Sequence, residues 1–237
     1  MIIPCPHHRQ IEPCTRRTFY SDWNRFKIKN EIWYLSIILA SMEYLCVTAD
    51  IVDSRNSANE KHLSELKQKL GLLNQELSPL VPLSLNAGDE IQGLWAATAS
   101  LPKIQMLMYA LLMPLKISIG FGLGSITGEI QSHTREMRGD VFILARQALD
   151  QAKKKSTNVC FKPFEGSHSN KNIILLLLAS LTKKWNSQTY RRFLLYREAG
   201  NIYSVAEQEQ VSPEAINKFI NRHDIRTVLK VMDEYVH

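Results

Sequence analysis

CVTADIVDSR (residues 46–55) and NAGDEIQG (residues 86–93) are the two stretches on which the reading of this chain turns. The first ends an apolar run, Tyr44 to Ala49, on Asp50, and then adds Asp53 and Arg55. The second places Gly88 and Asp89 between two apolar stretches, Leu80 to Leu85 and Ile91 to Ala97. A Gly-Asp pair accepts the backbone angles of a tight turn, so this pattern predicts a hairpin. If the strands are neighbours in one sheet, Asp50 and Asp89 converge at one edge with Glu90 beside them. A carboxylate pair so placed suits one or two Mg2+ or Mn2+ ions held against a nucleoside triphosphate. A plainer reading stands next to it: an Asp after a strand often caps the next helix, and a Gly-Asp turn needs no metal.

Working outward, Leu101 to Leu112 reads as a helix that Pro114 ends. Leu115 to Ile119 then form a strand leading into GFGLGSITGEI (residues 120–130), read as a glycine-rich turn. No GK[ST] follows, so this is not a phosphate-binding P-loop, and its glycines instead permit close approach of a neighbouring backbone or a ligand. Val141, Leu144, Ala145, Ala148, Leu149 and Ala152 recur at helical spacing, and Lys153, Lys154 and Lys155 complement the dipole at that helix's end. Asn158 to Phe161 reads as an edge strand. The order strand, helix, hairpin, helix, strand, helix, strand predicts an α+β fold: a ferredoxin-like palm with helices on one face.

From Met42 to about Phe161 the chain resembles the SatD family and, more distantly, the class III nucleotide cyclase and GGDEF domains. The resemblance lies in ADIVDSR, GDEIQG, ISIGFGLGSI and GDVFILAR. It implies that Asp50 and Asp89, with Glu90, are the metal ligands. It also implies that Ile51, Val52 and Asp53 approach the phosphates. Arg55 follows the acid strand closely enough to touch a phosphate or, equally, to pair with Asp53. Arg146 falls where cyclases keep an arginine that stabilises the transition state, a large catalytic effect in an enzyme. The chain departs from the cyclase pattern at Phe142, where an asparagine is usual, at Asp53 and Ser54, where glycine and an aromatic are usual, and at Gly124-Ser125 in place of Gly-Glu. These departures bear on cyclisation and leave metal and nucleotide binding intact. The family's name associates it with secretion and acid tolerance in bacteria.

Residues 166–172 read as a polar linker and 173–237 as a small all-α unit after the palm of residues 42–165. Ile173 to Leu181 predict one helix, and Tyr190, Phe193, Leu194 and Arg197 mark a second that Gly200 stops. Ser204 is a candidate cap for a short helix, Val211 marks a turn, and Ser212-Pro213 opens another helix with Ile216, Phe219 and Ile220 inward. The pattern is similar to a helix-turn-helix of the sigma-region-four type. Glu214, Asn217, Lys218, Asn221 and Arg222 would face outward, as residue types that reach bases or phosphates of double-stranded DNA. Glu209 and Gln210 stand where such motifs keep a hydrophobe and a glycine. A trihelical protein-interaction domain has the same periodicity.

Residues 1–41 fit neither unit, and Met42 reads as the natural start, which makes the upstream segment a non-native or disordered extension. Two alternatives are a signal anchor over Ile32 to Ala49, which conflicts with Glu43 and with the strand, and a zinc site at Cys5, His7, His8 and Cys14, which lacks paired Cys-x-x-Cys spacing. The net charge of +6 is uneven. Lys and Arg against Asp and Glu number 6 to 3 in residues 1–41, 13 to 13 in 42–169 and 10 to 7 in 170–237, favouring an anionic partner for the tail. Cys46 and Cys160 fall in strands, so no disulfide framework is implied and a cytoplasmic location is the expectation. His62, His133, His168 and His223 lie in polar stretches as surface groups.

The sequence thus predicts a regulator that binds a nucleotide with Mg2+ and engages DNA. Its rivals are a two-metal nucleotidyl-transfer enzyme and a degenerate palm serving as an interaction scaffold. No membrane association is expected, and a homodimer is an open expectation because palms of this kind often act in pairs.

Overall fold

In a computed structural model, five strands form one sheet in the order β2-β3-β1-β4-β5: β1 Tyr44–Ile51, β2 Val81–Leu85, β3 Glu90–Ala96, β4 Ile117–Gly124 and β5 Val159–Pro163. The structure describes residues 42–52, 60–86, 90–155, 157–164 and 169–235. Helices α1 (Glu60–Leu77), α2 (Leu101–Leu112) and α3 (Asp140–Ala152) alternate with the strands. Four helices follow α4 (Ser169–Thr182): α5 (Ser187–Ala199), α6 (Ile202–Glu209), α7 (Pro213–Arg222) and α8 (Ile225–Glu234).

The element order is that of a ferredoxin-like palm. Strand β1 pairs antiparallel with both β3 and β4, whereas β4 and β5 are parallel and therefore need the α3 crossover between them. The side chains of β1 divide by parity. Leu45, Val47, Ala49 and Ile51 join the core formed with Leu66, Leu70 and Leu73 of α1 and Ile104, Leu107 and Met108 of α2. Tyr44 and Cys46 pack on the other side with Val141 and Ala145 of α3. Helices thus cover both faces, correcting the expectation of one covered face. The parallel β4-α3-β5 crossover places its helix on the sheet face that α1 and α2 leave open.

A second correction concerns the glycines. Gly120, Gly122 and Gly124 lie within β4 rather than in a turn after it, and all three present the α3 face. A Cβ at Gly122 would come within 2.3 Å of the Ala145 backbone nitrogen, so α3 sits nearly in backbone contact with the strand. Ala145, Ala148 and Ala152 supply the matching small surface on the helix.

Helix α2 starts at Ser100, whose side chain accepts from the Lys103 N–H, with a proline in the first turn. It is apolar nearly all round because both of its sides are covered. One meets the sheet, and the other meets the C-terminal helices, where Gln105 Nε2 donates to the Leu175 carbonyl at 3.1 Å. Ser100 Oγ donates to the Met232 carbonyl of α8 at 3.3 Å, and Arg197 of α5 pairs with Glu76 of α1 at 2.6 Å. The described residues from Glu43 onward consequently form one compact unit with a continuous core from Leu45 to Met232.

Residues 169–172, expected as linker, are the first turn of α4. Asn172 accepts from the Phe161 N–H at 2.9 Å and donates to its carbonyl at 2.8 Å, tying α4 to β5. Residues 44–49 of the anchor alternative are strand β1, and among the described residues no helix is long and apolar enough to cross a membrane.

Candidate functional site

Asp50 lies opposite Glu90 in the β1-β3 register, two pairs beyond Thr48 and Gln92 and so on the same face. Cross-strand partners share a face, and Asp50 has the strand parity of Tyr44 and Cys46, which pack against α3; on that face Gln92 Nε2 donates to Thr48 Oγ1 at 3.0 Å. Asn86 extends this polar row by donating to Gln92 Oε1 at 2.9 Å. Its own N–H binds the Glu90 carbonyl at 2.7 Å, closing the hairpin around the turn. The two carboxylates are held on strands, with side chains 22% and 18% exposed.

Helix α3 brings cations to both of them. The Arg146 guanidinium pairs with Glu90, and Lys153 Nζ lies 2.7 Å from Asp50 Oδ2. Asp150, one turn after Arg146, stands 3.8 Å from its Nε. Arg146 and Lys153, the residue that caps the C-terminus of α3, are seven residues apart, two helical turns, and therefore lie along one side of the helix. The result is an alternating array of charges at the sheet edge, in which long and partly exposed cations cover half-buried carboxylates.

Of the residues named from the sequence, Asp50, Glu90 and Arg146 come together here. Asp53, Arg55 and Asp89 lie outside the described residues. Ile51 turns its side chain into the opposite core, and the Val52 N–H is engaged by the Lys116 carbonyl at 2.8 Å. Lys153 was readable only as a helix-end charge. Its spacing from Arg146 was the available signal, but the partner on β1 was not visible from sequence. Among the described residues no three His, Cys, Asp or Glu side chains converge as a metal cage. The donor chemistry still fits Mg2+, which binds through one or two carboxylates and completes its shell with phosphate oxygens and water.

Buried beneath this face is the Cys46 thiol, raised to about 12 by burial against a smaller lowering effect of the Thr48 hydrogen bond. It is an inert core group.

The C-terminal helices form a second cluster. Asn201, rather than Ser204, caps α6: its side chain accepts from the Ser204 N–H. Gln210 adopts the left-handed conformation, φ 54°, that a turn glycine would normally supply. Ser212 caps α7 by accepting from the Ala215 N–H at 3.2 Å, and Ile216 and Ile220 are buried. The Glu209 side chain is only 6% exposed. Its Oε2 is 2.5 Å from Arg192 Nε, and its Oε1 is 3.2 Å from Arg191 Nη2 in an ion pair without hydrogen-bond alignment. Arg192 also lies over the Phe219 ring at 4.3 Å.

On the outer side of α7, Lys218, Asn221 and Arg222 are exposed and Asn217 is half-buried. Arg226 of α8 donates to Asn217 Oδ1 at 2.9 Å, to Asn221 Oδ1, and to Tyr196 Oη at 3.2 Å. Arg226, Arg191 and Arg192 were not among the functional residues expected from sequence, because their partners lie on other helices.

The SatD family model matches residues 44–234, and the chain belongs to that family. No curated protein sequence matches it. Among solved structures, the chain is similar to the active GGEEF domain of a diguanylate cyclase from Vibrio cholerae, at 15% identity and TM-score 0.37, covering 65% of this chain and 99% of that one. It is also similar to the adenylyl cyclase CyaB from P. aeruginosa, at 12% identity and TM-score 0.32, covering 47% and 72%. A bacterial light-regulated adenylyl cyclase matches at 10% identity and TM-score 0.33, covering 49% and 72%.

Proposed function

We propose that this SatD-family protein is a regulator whose palm binds a nucleoside triphosphate together with Mg2+ and whose C-terminal helices engage double-stranded DNA. The observation that carries the palm reading is the facing pair Asp50 and Glu90 under Arg146 and Lys153. The carboxylates offer hard oxygen donors, and the helix offers cations of the kind that neutralise phosphates. Asp89 would complete the ligand set. Mg2+ would supply a bridge between the acids and the phosphate oxygens. For the tail, α6 and α7 with the Gln210 turn between them support a helix-turn-helix, with Asn217, Lys218, Asn221 and Arg222 toward DNA.

Because Arg146 reaches the same edge as Glu90, the enzymatic reading keeps a specific support: its guanidinium could neutralise charge on a phosphate bridged to the carboxylates by Mg2+. One experiment orders these readings. The full chain is incubated with the four ribonucleoside triphosphates and Mg2+ or Mn2+, retention is measured by equilibrium dialysis, and products are read by mass spectrometry. The comparison protein carries Asp50→Asn and Glu90→Gln. Metal-dependent retention without product, lost in the variant, supports the regulator. Product lost in the variant identifies a nucleotidyl-transfer enzyme. No retention by the unaltered chain would overturn the nucleotide reading and leave a scaffold. DNA binding is read separately: affinity should fall with salt and should fall further in Lys218→Ala or Arg222→Ala.

A further inference from the structure

Each half of the charge array at Asp50 and Glu90 is already satisfied by the other half. Asp50 holds Lys153 and Glu90 holds Arg146, so a bare divalent cation meets carboxylates that are already paired. Binding one would strand two cations beside a new dication. A bare polyphosphate meets the reverse problem, since drawing Arg146 and Lys153 away would expose two carboxylates to more negative charge.

We infer that the palm takes its ligand by double exchange of ion pairs: Asp50 and Glu90 pass to the divalent cation while Lys153 and Arg146 pass to the polyphosphate. The ligand class is a metal-chelated di- or triphosphate, and metal and nucleotide bind with positive coupling. This rests on the nucleotide reading of the same site and adds its regulation. The carboxylates are anchored on paired strands and half-buried. The cations sit on long side chains, with Arg146 53% and Lys153 38% exposed, so they are the members free to swing. Because these cations stay in contact with water, they can change partner without first being stripped of solvent. Asp150, beside Arg146, keeps that guanidinium partnered while it moves. Reciprocity follows from linkage: whatever factor the nucleotide adds to metal affinity, the metal adds to nucleotide affinity.

The test uses the full chain with Mn2+ alone, followed by the paramagnetic resonance signal of free Mn2+, then ATP and GTP in chelator by equilibrium dialysis, and then each nucleotide with Mn2+. Exchange requires the combination to bind at least about tenfold tighter than either component alone, within the range of ordinary coupling energies. Lys153→Met should tighten Mn2+ binding in the absence of nucleotide, because Asp50 is released, while reducing the coupling. Equal Mn2+ affinity with and without nucleotide, together with unchanged Mn2+ affinity in Lys153→Met, would overturn exchange and leave the nucleotide reading standing. Failure of every combination to bind would overturn both. Circular dichroism and thermal unfolding of Lys153→Met establish that it folds, and Lys153→Arg, which keeps the charge, should restore the coupling.

Discussion

Gly120 of β4 lies directly beneath Ala145 of α3, so close that a Cβ on the glycine would sit 2.4 Å from the Ala145 carbonyl oxygen and 2.2 Å from the Leu149 backbone nitrogen. Neither atom can move without moving the helix. That contact fixes the height of α3 over the sheet, and with it the reach of Arg146 and Lys153 to Glu90 and Asp50. Gly120→Val should therefore cost at least ~3 kcal/mol, at or above the upper range for overpacking a core. Urea unfolding measures it. Gly71 is the control: a Cβ there meets nothing within 4 Å in the middle of α1, so Gly71→Ala should stabilise by about 0.5–1 kcal/mol through helix propensity.

Glu209 should be among the costly C-terminal positions. Removing its carboxylate in Glu209→Ala leaves Arg192, whose side chain is only 15% exposed, without its ionic partner. A loss of about 2–4 kcal/mol is expected, somewhat below the range for breaking a fully buried pair because Arg191 remains in water. Chemical denaturation measures the loss. Arg191→Ala, at the exposed arm, should cost less than about 1 kcal/mol.

His223 should make the protein less stable in acid. Burial chiefly, and then the Arg222 and Arg192 charges, lower its pKa below 6.5, while Asp224 acts in the opposite direction. The unfolded chain consequently takes up the proton first. Stability contributed by neutral His223 is complete above 6.5 and is lost as the pH falls through 6.5 toward the lowered folded value. His223→Gln should flatten the dependence of thermal midpoint on pH in that window, and an unchanged slope would refute the assignment.

The Cys46 thiol should resist iodoacetamide in the native protein at mildly alkaline pH, because burial raises it to about 12 and leaves almost no thiolate. Mass-spectrometric mapping should find it labelled only after denaturation. Native labelling at a rate matching a free thiol would show that α3 opens from the sheet.

Local order was highly legible. The helix at Leu101–Leu112 has the bounds expected from its apolar run and the following Pro114, because its cap and stop are local backbone chemistry. The strands at Tyr44, Val81 and Glu90 start within a residue of expectation for the same reason. The glycines of β4 were visible as permission for close approach, but what approaches them was not. That depends on Val141, Ala145 and Leu149, some twenty residues downstream, folding back over the strand. Glu209 looked like a defect at a hydrophobic position until Arg191 and Arg192, on another helix, were seen to neutralise it.

By itself, then, the sequence determined the alternation of elements, the family, and the presence of acids at a strand end and a hairpin tip, because periodicity, caps and turns act over a few residues. Tertiary structure alone decided which acid faces which, since strand register sets parity and parity sets the face. It put Glu90 opposite Asp50, sent Ile51 into the other core, and laid Arg146 and Lys153 across the pair. Charges separated by forty to a hundred residues meet only when the chain has closed around its core, and a linear pattern carries no record of that distance.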